Sequence, residues 1–420
     1  MASTCYTNHV KDLLDEKLLD EKQIDEAVYR ILKLKEELGL FDDPFLGANP
    51  DREDQVILAH DHLQLAERFA EESMVLLKND QETLPLSKKL NYVILGPYAE
   101  TQRTNGSWAG HGNNQINNKL ADQLKQRGIH ISFVKATTAP DYSIDELKLI
   151  ESADQIILTL GENEYESGEA HSKVNIHLPR EQEKFVSFAK QKNKKTIVVL
   201  YHGRPFVLTN IMGADAILDA FYAGSKAHEA MAKILTGDVN PSGKLPVSYP
   251  RHSGQIPIYY NHLSTGRPHY KGVYSEYSSF YLDEENEALF PFGYGLSYAH
   301  FKYSNLRVSK KEMNADDVIT LSVDVENDSN IAGFEIAQFY INDKISYYAR
   351  PIKELKGYKK VWIEAHQKVT LEFRISKDDL SYFSPSGDKI IEPGDFEFMV
   401  GKHSEDVETI TVKYLGGNRT

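Results

Sequence analysis

Gln155-Ile-Ile-Leu-Thr-Leu-Gly161-Glu-Asn-Glu-Tyr-Glu-Ser-Gly-Glu169-Ala-His-Ser-Lys173-Val-Asn-Ile-His-Leu-Pro179 runs from a short apolar segment into a polar loop. The run from Gln155 to Leu160, closed by glycine, reads as a strand buried on both faces, the kind found in parallel sheets. The loop after it carries Glu162, Glu164, Glu166 and Glu169. Like charges crowded on one loop repel, so at least one carboxyl is expected to hold its proton near neutral pH, as a general acid must. The same spacing also fits a solvated acidic loop without chemistry. The rest of the chain has to separate the two.

Strand-like runs of the same type recur at Tyr92-Val-Ile-Leu95, His130-Ile-Ser-Phe-Val134, Thr196-Ile-Val-Val-Leu200 and Ala216-Ile-Leu218. Helical stretches near 116–127, 143–152, 180–193 and 226–236 separate them. Such alternation predicts crossover units and an α/β three-layer sandwich, with a mostly parallel sheet covered on both faces. Sites in such sheets lie in loops at the carboxyl ends of strands. The Glu169 loop is at one of them. Upstream, Leu63 to Leu77 reads as a helix with Leu63, Ala66, Ala70, Met74 and Leu77 on one face.

The two ends of the chain have other patterns. Asp20 to Leu38 predicts a helix, with Asp20 and Gln23 as a capping pair and Gly39 as its stop. Its stripe of Ile24, Val28, Ile31, Leu34 and Leu38 needs a partner, yet Phe41 to Asp54 reads as a Pro/Gly/Asp-rich linker. The helix therefore looks like the tail of a larger unit. After Gly237 comes a run of turns to Pro246, then an aromatic connector from Tyr259 to Tyr281, read as a packed strap. The Gly293-x-Gly295 pair beyond it lacks a third glycine and a following helix, which makes a dinucleotide loop a poor reading. From Phe301 the period is two, as in Thr320–Glu326, Glu335–Ile341, Val369–Ile375 and Asp395–Val400. That predicts an all-β immunoglobulin- or fibronectin III-like sandwich.

Composition narrows the function classes. The chain has 420 residues, enough for two or three domains, and 41% hydrophobic residues, enough for real cores. A net charge of −14 argues against nucleic acid as a partner. No run of about 18 apolar residues predicts a membrane span. The start, Met1 to Tyr6, lacks the features of a signal peptide. The lone Cys5 cannot form an internal disulfide and fits a reducing, cytoplasmic setting. No cofactor is expected: His60 and His62 beside Asp61 read as helix-start residues, since adjacent positions lack the geometry of a metal site.

Several blocks together resemble a known family. They are Ile24-Asp-Glu-Ala-Val-Tyr-Arg-Ile-Leu with Gly39-Leu-Phe41, Ala70-Glu-Glu-Ser-Met-Val-Leu-Leu-Lys-Asn79, Leu84-Pro-Leu86, Gly106-Ser-Trp108, Ser167-Gly-Glu-Ala170 and Gly203-Arg-Pro-Phe206. Further on are Asn240-Pro-Ser-Gly-Lys-Leu-Pro246, Pro257-Ile-Tyr-Tyr-Asn261, Gly266-Arg-Pro268 and Pro291-Phe-Gly-Tyr-Gly-Leu-Ser-Tyr298. In this order the chain resembles the C-terminal half of glycoside hydrolase family 3, of the β-glucosidase and β-xylosidase type.

The resemblance implies an architecture and a site. Residues 1–45 would be the terminal helix and linker of an absent (β/α)8 barrel, 46–250 an αβα sandwich, 251–300 the connector and 301–420 a fibronectin type III-like domain. Glu169 matches the family's acid/base residue. The nucleophilic aspartate belongs to the barrel, in a Ser/Thr-Asp-Trp/Tyr setting, and no Ser-Asp-Trp or Thr-Asp-Trp occurs here. A barrel needs about 250 residues. A retaining glycosidase needs both carboxyls, about 5–5.5 Å apart. General acid catalysis alone is worth about 10²–10⁴-fold, so the chain by itself is expected to be nearly inactive.

Two departures from the family pattern bear on that role. Lys173 stands where relatives have arginine, keeping the charge but losing the planar fork. Ala227-His228 replaces Gly-Gly, with an expected effect on the sheet's edge loop. Trp108 is a candidate sugar platform or, equally, a loop anchor or docking residue for the barrel. Arg204 is expected to hold structure around its turn. Three functions remain open: a β-glucoside- or β-xyloside-hydrolysing component needing a barrel in trans or self-association, an inactive truncated remnant, or a carbohydrate-binding or assembly module.

Overall fold

The computed structural model describes residues 3–110, 114, 117–269, 273 and 275–416. His111 and Gly112 of the glycine-rich loop, Ile116 at the head of a predicted helix, and Tyr270, Lys271, Gly272 and Tyr274 of the connector lie outside the described residues. The chain divides into two compact units, residues 1–62 and 63–420.

The first unit is helical, with α1 (Cys5–Asp15), α2 (Glu21–Glu37) and α3 (Pro50–Val56). Helix α2 starts at the predicted capping box: the Asp20 carboxylate accepts from Lys22 N at 3.0 Å, and Gln23 accepts from Asp20 N at 3.1 Å. Its stripe is uncovered, with Val28 47%, Ile31 59% and Leu34 56% exposed. The presumed linker contains α3, which Asn49 caps and whose first residue is Pro50.

In the second unit, α4 (His60–Ser73) runs into β1 (Val75–Asn79). The helix expected to reach Leu77 thus stops four residues earlier. Met74, Val75, Leu76 and Leu77 are all buried, and four consecutive buried residues fit a strand sandwiched between layers rather than a one-sided helix. The spacing of Ala70, Met74 and Leu77 fits the helical period, yet Met74 and Leu77 pack into opposite layers, as neighbours of odd separation in extended chain do. Next come β2 (Asn91–Leu95), α5 (Leu120–Gln126), β3 (His130–Lys135), α6 (Ile144–Ser152), β4 (Gln155–Gly161), α7 (Arg180–Gln191), β5 (Lys195–Tyr201), β6 (Ala216–Asp219) and α8 (Ala227–Thr236).

The sheet order is β1-β6-β5-β4-β2-β3, with β1 antiparallel at one edge and the other pairs parallel. One face, through Ile157, Ile197 and Val199, packs on Ala70 of α4, Leu124 of α5 and Met231 of α8. The other, through Ile156, Leu158 and Val198, packs on Ile150 of α6 and Phe185 and Val186 of α7. Each such side chain buried whole is worth about 1.5–3 kcal/mol, which is why strands apolar on both faces commit to the sheet interior. The strand order reverses between β2 and β4. In an open parallel sheet that reversal leaves a crevice at the carboxyl ends of the two strands, flanked here by residues 96–119 and 162–179.

The motif around Pro291–Tyr298 closes the exposed edge of β1: Leu296 N donates to Leu76 O at 2.8 Å. Asn240 staples this segment, accepting from Ser297 Oγ and Tyr298 N at 2.8 Å each and donating to Ala332 O at 3.1 Å. The sandwich then follows, with β7 (Phe301–Val308), β8 (Glu312–Asn314), β9 (Ile319–Asn327), β10 (Gly333–Asp343), β11 (Glu354–Ile363), β12 (Lys368–Ile375), α9 (Lys377–Leu380), β13 (Tyr382–Phe383), β14 (Lys389–Ile390), β15 (Gly394–His403) and β16 (Asp406–Gly416). A sheet ordered β11-β10-β15-β16-β8 and one ordered β12-β9-β7 enclose a core of alternating residues such as Leu321, Val323, Ile341, Phe396 and Phe398.

Candidate active site

Trp108 and Glu169 lie on the two loops that flank the crevice. The loops touch at Gly168: a Cβ there would meet Ser107 Oγ at 2.6 Å and Trp108 Nε1 at 3.3 Å, and its φ is +119°. Only glycine allows that approach. Ala170, on the other side of Glu169, also has a left-handed backbone, with φ +61°. That costs on the order of 1 kcal/mol and persists only where the surroundings impose it.

The imposing group is Arg204, in the turn after β5. Its Nε donates to both oxygens of Glu162, at 3.0 and 3.2 Å, while Nη2 donates to the carbonyls of Glu166 and His171, the latter at 2.8 Å. Glu162, fully buried at the end of β4, also accepts from Gly203 N at 3.1 Å. Arg204 therefore does hold its turn, and it clamps the Glu169 loop from both flanks as well. Gly203 permits this, because a side chain there would strike Ser167 Oγ at 2.0 Å. Tyr222 completes the seat, its hydroxyl donating to Glu162 O at 2.8 Å. Burial first, then the Tyr98 phenol and the nearby carboxylates, keep that phenol far above its usual range, so it remains a donor.

The four glutamates now separate. Glu162 is the buried anchor. Glu164 pairs with Arg103, which also donates to the Tyr165 hydroxyl at 3.0 Å. Glu166 pairs with Lys173 Nζ at 2.8 Å, and Lys173 also lies 3.5 Å from Glu162. The hydrogen bond from Lys173 lowers the Glu166 carboxyl below its ordinary value. Crowding on this loop was expected to push a carboxyl upward; for Glu166 it does not, because Lys173 on the same loop, and then Arg204, counter it. Glu169 is exposed, and its carboxylate has no hydrogen bond or ion pair among the described residues. Only its backbone carbonyl is engaged, accepting from His171 Nδ1 at 2.6 Å. Trp108 is 75% exposed beside it.

The lysine that replaces the family's arginine is thus a two-carboxylate tether, and the planar fork is supplied by Arg204 instead. His228 does not shape an edge loop. It is buried over the end of β5, in the sheet interior, with Nε2 3.1 Å from the Tyr201 hydroxyl and Nδ1 donating to Asn118 O at 2.6 Å. It therefore braces the Trp108 loop. His60, Asp61 and His62 form the first turn of α4. Sequence reasoning named Glu162 among the loop carboxyls without its anchoring role, and missed Tyr222 and Arg103. A glutamate directly after a buried strand is the only local signal for the first.

A fold with its free carboxylate at this crevice can be compared with known proteins. Residues 74–298 match the model of the glycosyl hydrolase family 3 C-terminal domain, and residues 335–404 that of a fibronectin type III-like domain. The chain belongs to glycosyl hydrolase family 3. Among curated relatives, the family 3 chain is 35% identical to a periplasmic beta-glucosidase of Salmonella typhimurium and 31% identical to a beta-xylosidase of Formosa agariphila. These alignments cover 97% and 98% of this chain but 58% of each relative. The fold superposes with a TM-score of 0.91 on a beta-glucosidase from Listeria innocua in complex with isofagomine, at 36% identity, covering 99% of this chain and 59% of that one. The chain therefore spans well under two thirds of the proteins it resembles. No described helix is long and apolar enough to cross a membrane.

Proposed function

We propose that this chain supplies the acid/base half of a retaining β-glycosidase site, with Glu169 as the proton donor and acceptor. The observation that carries the reading is that Glu169 is the one glutamate of its loop left unpaired among the described residues, on a clamped loop at the crevice. In the first step its carboxyl protonates the departing glycosidic oxygen, and in the second its carboxylate takes a proton from water. Trp108, alongside, offers a flat apolar face to a pyranose ring.

The nucleophilic carboxylate, about 5–5.5 Å from the acid, is assigned to a (β/α)8 barrel outside this sequence, carried either on another chain or on a segment upstream of this one. The uncovered stripe of α2 fits a partner of that kind, since an apolar helix face is stable only when buried. The substrates that fit are β-linked glucosides or xylosides, consistent with the names of the relatives. In this reading residues 1–45 join the barrel, 46–250 and 301–420 are the two domains, and 251–300 links them. A cytoplasmic setting rests on Cys5 alone, and the chemistry does not depend on it.

Hydrolysis of an aryl β-glucoside, measured with and without a separately expressed family barrel, tests the proposal. Turnover should need both chains and should be lost with Glu169→Ala. Substantial turnover by the chain alone, or turnover indifferent to Glu169→Ala, would overturn it.

A further inference from the structure

The connector and one end of the sandwich enclose a cavity of about 890 Å³ on elements other than the Glu169 and Trp108 loops. That volume suits a small ligand. One wall carries Tyr259, Tyr260 and Glu287; the other is the end of β10, the loop after it and part of β15. The walls are tied together. Ile352 N donates to His262 O at 2.9 Å, and Leu263 bridges Pro351. Tyr260 stacks on Phe292 with centroids 4.1 Å apart, and its hydroxyl accepts from Leu355 N at 3.3 Å. The cleft is therefore preformed, and little ordering opposes binding.

Its charges define the ligand. Arg350 is paired with Asp343 at 3.2 Å and with Glu354, and Lys344 is paired with Glu397 at 3.0 Å. Burial pulls the Lys353 ammonium below its ordinary value, and that group is spent on Ser404 O. These cations are satisfied within the wall, which leaves little attraction for an anionic ligand. What is left over is complementary to hydroxyls. The Tyr259 ring is 58% exposed. Neither its hydroxyl nor the half-buried Glu287 carboxylate has a side-chain partner among the described residues. An exposed aromatic ring and an unoccupied carboxylate lining one cavity suit a pyranose: the C–H face stacks and the hydroxyls donate.

We propose that this cleft is a saccharide-binding site for one or two uncharged β-linked pyranose units, held by stacking on Tyr259 and by hydroxyl donation to Glu287. It does not depend on the role of Glu169. Calorimetric titration of the full chain with cellobiose, xylobiose and a digalacturonate control tests it. The neutral disaccharides should bind saturably and the anionic control should not. Tyr259→Ala should weaken binding roughly tenfold, and Tyr259→Phe should preserve it. Melting temperatures matched to the parent chain confirm that the variants fold; should Tyr259→Ala fail this control, Glu287→Gln supplies the same reading with a loss of severalfold. Absence of saturable binding, a preference for the anionic control, or binding indifferent to Tyr259→Ala would overturn the site. The last result would leave the Glu169 proposal standing.

Discussion

Arg204 Nε lies 3.0 Å from one oxygen of Glu162 and 3.2 Å from the other, while the far end of the same guanidinium holds the carbonyls of Glu166 and His171. One buried carboxylate thus fixes the cation that fixes both flanks of the Glu169 loop. The planar guanidinium suits this role, because its separate Nε and Nη2 donors reach the carboxylate on one side and the two carbonyls on the other.

Replacing Arg204 by alanine leaves Glu162 buried with only Lys173 for a charge partner, and breaking such a pair costs about 3–5 kcal/mol. Denaturant unfolding should show a loss of that order. Arg204→Lys should cost less, yet hydrogen exchange across residues 163–172 should still accelerate. Unchanged exchange in Arg204→Lys would mean the loop is held by something else.

Gly168 gives a sharper test of loop contact. Gly168→Ala places a methyl 2.6 Å from Ser107 Oγ on a backbone with φ +119°. The strain and the clash together should destabilise by about 1–3 kcal/mol and move Trp108. Trp108 emission, read in a Trp362→Phe background, should shift on Gly168→Ala. A spectrum and a stability identical to the parent would show that the two loops are apart in solution.

Strands β2 to β6 were legible because a strand buried on both faces must be an apolar run, and few other structures use one. β1 was hidden because Leu77 continues the helical spacing set by Leu63, Ala66, Ala70 and Met74. β11 was missed because Lys356, Lys359 and Lys360 interrupt its alternation, as suits a strand at a sheet edge. At the site, Glu169 could be chosen only through resemblance. Local crowding argues equally for all four glutamates, and two of the three cations that separate them, Arg103 and Arg204, come from far along the chain. Arg103 is 61 residues from Glu164, and Arg204 is 42 from Glu162. No periodicity carries that information.

Helix α2 should behave as a sticky surface. Ile31 and Leu34 are exposed, so Ile31→Lys with Leu34→Lys removes apolar area without opening a core. The parent chain should bind a hydrophobic dye and self-associate, and the double variant should do both less at an unchanged melting temperature. Equal dye binding by both proteins would refute an uncovered stripe.

Acid should weaken this protein well before its carboxylates titrate. Burial, assisted by Lys244, Lys402 and Lys353 against the opposing Asp406, holds His403 at about 4. Burial likewise lowers His228, opposed by the Asn118 carbonyl and Glu229. Both folded values lie below the ordinary imidazole value of about 6.5. As pH falls through that value the unfolded chain takes up protons that the folded chain refuses, and stability drops with the difference in bound protons. The contribution is intact above about pH 7 and is lost progressively down to about 4. Denaturation midpoints should therefore fall between pH 7.5 and pH 5. His403→Gln should flatten that slope, and adding His228→Gln should flatten it further. A slope as steep in the double variant as in the parent would place the acid sensitivity on other groups.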